Sequence, residues 1–336
     1  MKEIRIEVNM ILAGDIGGTK TLLGLYSRRD ARPEPIVVQS FPTIDHPDLS
    51  HVISAFANHE RVRGTRVQAA AFGIAGPVLG HTAALTNVPF QIDALDISRA
   101  FEIPHVRLLN DLQAMAYSLT ALSDSEVHVL QAGEATAGGN MGLLAAGTGL
   151  GEAAVYRTPA GLFPAPTEAG HADWAARTER EITVLRALIQ RFGRAEVEHV
   201  LSGPGVLNLF RVTHSDAACV AGIDENDPQA PAQISNAALE RRCQSCIDAQ
   251  DIFVSAYGAE AGNLALRTIA TGGLFVGGGI APKILPALID GRFMRAFLDK
   301  HPFKDMLAKM PVKIILNPDA GLLGAAIAAA QDARTA

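Results

Sequence analysis

Four short stretches of this chain put groups capable of chemistry beside glycines or at a change of backbone pattern. "DIGGTK" sets Asp15 and Lys20 around Gly17, Gly18 and Thr19. A carboxylate there is either a turn residue bonding its own backbone or a ligand to a Mg²⁺ held largely through its waters beside a polyphosphate. Asn110 and Asp111 follow the apolar run "HVRLL" just where a helical pattern begins. Asp111 is therefore either a helix N-cap or a base that takes a hydroxyl proton late in a loose phosphoryl transfer. "EAGH" sets Glu168 and His171 across a small turn, and Glu198 precedes "SGPG". One Glu-x-x-His is too sparse for a zinc site. Carboxylates, an amide and an imidazole, without arginine or lysine among them, suit a neutral polyol such as a sugar.

Three glycine-rich turns could hold an anion. They are Gly17-Gly18-Thr19, Gly147-Thr148-Gly149 (continuing into Leu150 and Gly151) and Gly277-Gly278-Gly279. Without a Cβ, backbone N–H groups in such a turn can close on phosphate oxygens. Each alone reads as an ordinary turn. All three follow apolar runs, and the first two carry a threonine hydroxyl, so together they favour a nucleotide. The phosphate-loop pattern G-x-x-x-x-G-K-[ST] is absent. "GTGLGE" lacks the dinucleotide spacing and leads into another strand rather than a helix. Lys20 reads as solvated, because amides within the turn already supply donors.

These groups need elements to position them. Residues 11–26 and 141–156 each read as an apolar strand, a glycine bend and a second apolar strand. Two such hairpins far apart in the chain suggest two related α/β halves. Leu49, Val52, Ile53 and Phe56 fall at helical spacing, and "RVQAAAFGIAGPV" reads as a buried strand ending in a turn. Leu112, Met115, Leu119 and Leu122 are expected on one helix face. Thr178 with Glu181 predicts a capping box. Residues 235–270 read as one long helical region, "GIDENDPQAP" (222–231) as a surface loop, and "GGLFVGGGIAPKIL" as a strand, glycines and a helix. "AGLLGAAIAAA" (320–330) is too short to span a bilayer and predicts a packed helix. Cys243-Gln-Ser-Cys246 has the spacing of redox and zinc motifs. Leu239, Cys243, Cys246 and Tyr257 nevertheless follow helical spacing, which predicts inert thiols facing the core, with Cys219 the only further cysteine.

The 336 residues exceed what one core usually serves, so two domains are expected. A net charge of −6 gives no reason to expect a nucleic acid or anionic membrane as partner. Three cysteines cannot form a fully paired disulfide framework, which fits a reducing cytoplasm. The N-terminus lacks the apolar core and cleavage site of a signal peptide.

The segments "LAGDIGGTKTLLGLY", "GIAGPV", "LTNVPF", "LLNDLQAMAYSL", "AAGTGLGEA", "EAGHADW", "EHVLSGPGVLNLFR", "LFVGGGIAPKIL" and "NPDAGLLGAAIA" occur in the order seen in bacterial glucokinases. The resemblance runs from about residue 11 to 328, leaving residues 1–9 as an extension. It implies the actin-like sugar-kinase fold, an α/β architecture of two ribonuclease-H-like domains with the active site in the cleft between them. The small domain would be residues 1–121 plus the C-terminal helix from about 314 (314–336), and the large domain 122–313. By motif match Asp111 looks like the base acting on the sugar's 6-hydroxyl, with Asn110, Glu168, His171 and Glu198 as sugar ligands. "DIGGTK" and "GTGLG" resemble phosphate-binding hairpins, "GGGIAPK" resembles the adenosine motif, and Asp15 and Thr19 would face Mg-ATP. Two departures stand out. Ala169 occupies a position where many relatives have glycine, and its methyl could crowd the turn. The cysteine-rich zinc motif of the related repressor and sugar-kinase group is absent, as in the zinc-free glucokinases.

What the resemblance implies is thus a cytoplasmic kinase, homodimeric by analogy, using ATP and Mg²⁺ on glucose. Another hexose or amino sugar is the same-class alternative, since small changes of pocket shape move such preferences. A sugar-responsive regulator would need a helix-turn-helix ahead of the first hairpin, and only about a dozen residues precede it. A binder without turnover is disfavoured by Asp111 and the two phosphate turns.

Overall fold

The apolar runs on either side of Gly17 and Gly18 fold back on each other as an antiparallel pair, β1 (Met10–Ile16) and β2 (Lys20–Ser27). The computed structural model describes residues 10–29, 32–85, 88–159, 161–214 and 219–335. The extension 1–9, and Thr86 and Asn87 of "LTNVPF", lie outside the described residues. The chain divides into two units, one running to Ser123 and resuming at Asp319, the other Asp124–Pro318.

In the first unit β3 (Glu34–Pro42) extends the hairpin, and α1 (Leu49–Ala57) follows. Asp48 caps α1 by accepting the His51 N–H at 2.9 Å. Its buried face is Leu49, Val52, Ile53 and Phe56, the four expected from spacing. Burying each contributes roughly 1.5–3 kcal/mol relative to exposure. Next come β4 (Val67–Ile74), the short strands β5 (Val78–Leu79), β6 (Thr82–Ala84) and β7 (Gln91–Asp93), α2 (Ala94–Phe101), β8 (His105–Asn110) and α3 (Asp111–Ser118). The main sheet has the order β3-β2-β1-β4-β8, with β1, β4 and β8 mutually parallel. Ile16 pairs with Ile74 and Ile74 with Asn110, so the three parallel strands end level.

The helix after Asn110 is shorter than its apolar spacing suggests. Backbone bonds tighten to the i−3 pattern at Leu119 and Ala121, which closes α3 before Leu122. Leu112 and Leu119 are buried, but Met115 is only half-buried, and Ala114, Ala116, Tyr117 and Ser118 share the covered surface.

The second unit contains β9 (Val127–Gln131), β10 (Met141–Ala146), β11 (Leu150–Thr158), β12 (Gly161–Pro166), α4 (Glu179–Phe192), α5 (Gly203–Thr213), α6 (Ala230–Leu239) and α7 (Gln244–Thr268). It closes with β13 (Gly273–Gly277), α8 (Leu285–Leu288), α9 (Arg292–Leu298), α10 (Lys304–Ala308) and β14 (Val312–Ile315). The sheet order is β12-β11-β10-β13-β14-β9. A three-stranded meander followed by parallel strands thus repeats the first sheet's design, with β9 added antiparallel at the edge. The chain then returns as α11 (Ala320–Thr335), which packs on α3, β1 and β4 of the first unit.

Three local expectations need correction. Thr178 accepts the Glu181 N–H at 3.2 Å, but the Glu181 carboxylate accepts from the Arg177 N–H at 2.6 Å, so the capping box is not reciprocal. Residues 235–270 are two helices broken at 240–243, where Arg241 takes a positive φ of 56°. Cys243 is therefore the N-cap of α7 rather than a residue within it, although Cys243 and Cys246 are both buried as expected. The C-terminal helix begins at Ala320, not near 314, because Val312–Ile315 is a strand held between β13 and β9. No helix among the described residues is long and apolar enough to cross a membrane.

Candidate active site

In the first unit the polar residues sit at the level ends of β1, β4 and β8, where parallel α/β sheets present side chains to ligands. Asn110, not Asp111, caps α3: its Oδ1 accepts the Leu112 N–H at 3.0 Å, while Gln113 reaches back to the Asn110 N–H at 3.2 Å. Asp111 occupies the first helical position, is exposed, and accepts the Leu112 N–H at 2.8 Å. The capping alternative for Asp111 is thereby answered by its neighbour.

Asp15, next to last in β1, stands beside these groups, half-buried, with its carboxylate close to the start of α11: a Cβ built on Gly321 would lie 3.3 Å from Oδ2. Burial foremost, then the charges of Asp111 and Asp319, push the Asp15 carboxyl up to about 6, with Lys20 opposing. This crowding of acids suits a divalent cation, whose charge would favour the ionised carboxylate. The Gly17–Thr19 turn is pinned from below. Thr43 donates its N–H to the Thr19 carbonyl at 3.0 Å and its hydroxyl to the Gly17 carbonyl at 2.8 Å. Gly17's own N–H donates to Lys20 at 3.0 Å, so it closes the turn and does not offer itself to a phosphate. Lys20 is exposed, as read from the sequence.

In the second unit the turns after β10 and β13 lie at the same edge, since Ala145 pairs with Gly277. The buried Tyr257 of α7 joins them: its hydroxyl accepts the Ala146 N–H at 3.2 Å and donates to the Gly277 carbonyl at 3.3 Å. A cavity of about 990 Å³ is lined by Gly147, Thr148, Gly203, Gly279 and Lys283, and by Glu225–Gln229 of the loop before α6. The loop read as plain surface is therefore a cavity wall. Among the nucleotide candidates, Gly149 turns toward Glu198 and Gly277 toward Tyr257, while Gly278 makes the bend with φ +83°. The Gly147 N–H, like that of Gly17, closes its own turn, donating to Gly149 at 2.8 Å.

Glu198 and the Glu168–His171 turn pack directly against the glycine turn. Glu198 Oε2 accepts the Leu150 N–H at 2.8 Å, and a Cβ on Gly149 would come within 2.6 Å of the same oxygen. A Cβ on Gly170 would meet the Leu150 carbonyl at 2.2 Å, so only glycine allows this approach. Ala169 stands half-buried in the 3₁₀ turn Ala169–His171, where its N–H reaches Thr167 Oγ1 at 3.3 Å. Glu168 is exposed. His171 Nδ1 lies 2.8 Å from Glu196 Oε2, and that bond, with added charge from Glu198 and Glu168, raises the imidazole pKa.

The structure brings Asp15 near Asp111 in the first unit and Glu168, His171 and Glu198 together in the second, and it adds two acids the sequence reading did not single out, Asp319 beside Asp15 and Glu196 beside His171. Glu196 stands two residues before Glu198 in "EVEHV", and Asp319 lies in the quoted "NPDAGLLG". Alternating acids and a third Asp were the available signals.

A family model described as Glucokinase matches residues 12–332. A glucokinase of Nostoc punctiforme is 36% identical over 342 aligned positions, covering 96% of this chain and all of that protein. The crystal structure of a glucokinase from an Antarctic psychrotroph superposes with a TM-score of 0.85 at 29% identity, covering 96% and 98% of the two chains. A glucokinase of Balamuthia mandrillaris in complex with glucose shares the fold, with a TM-score of 0.75 at 20% identity over 96% and 94%.

Proposed function

The chain belongs to the glucokinase family, and we propose that Asp111 is the general base of its reaction. That reaction is the ATP-dependent phosphorylation of glucose, at the 6-hydroxyl. The observation that carries the assignment is the division of labour at the start of α3, where Asn110 caps the helix and Asp111 stands exposed at the strand ends. A carboxylate suffices as the base, because the alcohol loses its proton late, when the phosphoryl group has largely arrived.

Glu168, His171 and Glu198 are the proposed ligands of the remaining sugar hydroxyls, with Asn110 beside the base. Glu198 would hold a hydroxyl with one face of its carboxylate while the Leu150 N–H fixes the other. ATP would enter the cavity of the second unit, its phosphates met by Thr148 and by the turns at Gly147 and Gly279, its nucleoside by the 225–229 wall. Gly18 and Thr19 of the first hairpin are proposed as further phosphate contacts. Asp15 fits Mg²⁺ through its waters, and the ion, when bound, supplies positive charge to the phosphates. The two units would be the enzyme's two domains, changing over at Ser123 and Asp319. A cytoplasmic homodimer is the proposed setting, by analogy with the family.

The test is a coupled assay of ADP release with glucose, mannose, fructose, glucosamine and N-acetylglucosamine offered in parallel, with and without Mg²⁺. Glucose should lead, and activity should require the cation. In Asp111→Ala, turnover should fall by roughly 10²–10⁴ while glucose binding persists. Undiminished turnover in that variant would remove Asp111 from the mechanism, and another sugar ahead of glucose would reassign the pocket.

A further inference from the structure

Away from the catalytic groups, the second unit gathers its three cysteines around one histidine. His214 is the C-cap of α5, Cys219 follows on the chain beyond, Cys243 is the N-cap of α7, and Cys246 lies in that helix's first turn. One ligand atom from each falls within 4.8 Å of all the others. His214 Nε2 is 3.3 Å from Cys243 Sγ and 4.0 Å from Cys246 Sγ. Cys219 Sγ is 3.9 Å from both Cys243 Sγ and Cys246 Sγ.

These separations match the edges of a metal tetrahedron. With Zn–S about 2.3 Å and Zn–N about 2.0–2.1 Å, tetrahedral geometry puts sulfurs about 3.8 Å apart and nitrogen about 3.5 Å from sulfur. The imidazole is also held in the required tautomer. Nδ1 lies 2.9 Å from the Phe210 carbonyl, which can only accept, so the neutral ring carries its proton there and turns the Nε2 lone pair toward the thiols. The ring is steadied by Phe210, with centroids 4.0 Å apart. Cys243 and Cys246 are 4% and 0% exposed, and Cys219 is half-buried.

We propose that His214, Cys219, Cys243 and Cys246 bind one divalent metal ion of the zinc type in a closed structural site. Thiolate and imidazole ligands select zinc over Mg²⁺, which takes oxygen. Four protein ligands leave no position for substrate, so the ion is structural. Binding releases the three thiol protons to solvent. The site is distinct from the cysteine-rich zinc motif of the related repressor and sugar-kinase group, which this sequence lacks. It ties the end of α5 and the α6–α7 junction to Cys219, whose carbonyl accepts the Gly222 N–H at 3.0 Å at the start of the loop leading to the 225–229 cavity wall.

The experiment is metal analysis of the full-length protein purified without chelator, followed by removal of the ion under reducing conditions and titration with Co²⁺. One zinc per chain is expected, with cobalt giving the visible bands of a tetrahedral site and a near-ultraviolet thiolate charge-transfer band. Cys246→Ser puts a hydroxyl at a fully buried position, where a folding defect would mimic loss of the metal, so the deciding variant is the half-buried Cys219→Ser, followed by circular dichroism. It should remain folded, lose the charge-transfer intensity of one thiolate and bind Co²⁺ at least tenfold more weakly. A reduced, folded wild type that gives no such spectrum overturns the proposal. So does a Cys219→Ser spectrum identical to wild type, or a disulfide among these cysteines in the protein as purified.

Discussion

His171 shows how a neighbouring carboxylate sets the charge of an exposed side chain. Its ring is exposed, yet Glu196 accepts from Nδ1 at 2.8 Å and favours the imidazolium. Removing Glu196 should therefore lower the His171 pKa, the direction set by losing an anionic acceptor. An NMR titration of the His171 ring in Glu196→Ala would show it, and an unmoved titration would mean that Glu198 and Glu168 alone set the charge. If His171 holds a sugar hydroxyl as proposed, the same variant should raise the KM for glucose with less effect on kcat, because Glu196 bonds His171 and would act on the sugar only through it. Gly170 makes the complementary case. Its replacement by alanine would drive a methyl into the Leu150 carbonyl, and overpacking of this kind costs roughly 1–3 kcal/mol. Gly170→Ala should lower the melting temperature and raise the KM values for both substrates, since it would displace the proposed sugar-binding turn and the proposed phosphate-binding turn together.

At the scale of elements, the second unit depends on α7, whose surface is buried almost all round, as a helix inside a core must be. Its Tyr257 joins the ends of β10 and β13 and thereby fixes the spacing of the two glycine turns that line the cavity. Tyr257→Phe keeps the ring packed against Phe253 and Phe293 but leaves the Ala146 N–H and the Gly277 carbonyl without that partner. Losing a buried partner costs about 1–3 kcal/mol. Denaturant unfolding should register that loss, and the KM for ATP should rise more than that for glucose. Equal effects on both substrates would show that Tyr257 acts on general stability only.

At the scale of the whole molecule, pH enters through Glu152 of β11, a carboxyl 1% exposed and close enough to Glu260 of α7 to feel its charge. Arg267 bonds Glu260 at 2.7 Å and stands 3.6 Å from Glu152. Burial first, then repulsion from Glu260, raises the Glu152 carboxyl to about 8 against the pull of Arg267. A folded pKa above the unfolded one means that the native chain binds more protons through this window. Its contribution to stability is complete below the ordinary glutamate pKa of 4.5 and is lost as pH rises through about 8. Glu152→Gln should flatten the fall in melting temperature between about pH 5 and about pH 9. Parallel wild-type and variant curves over that range would place the pH dependence elsewhere.

The sequence by itself determined the two glycine hairpins, the strand-to-helix switch at Asn110 and Asp111, the apolar face of α1 and the family. All of these rest on neighbours in the chain: glycine conformational freedom, alternation, helical spacing and motif order. Side-chain partnerships across the fold were decided only by tertiary structure. Leu150 and Glu198 are 48 residues apart, as His171 and Glu196 are 25 apart, and no local spacing records such a pairing. The cysteines show the limit most sharply. Helical spacing placed two thiols in the core, correctly, yet whether that core is inert depends on His214 and Cys219, which reach it from α5 and the chain beyond. Local sequence sets the backbone each residue adopts, whereas the way sheets and helices pack decides which distant side chains come within bonding distance.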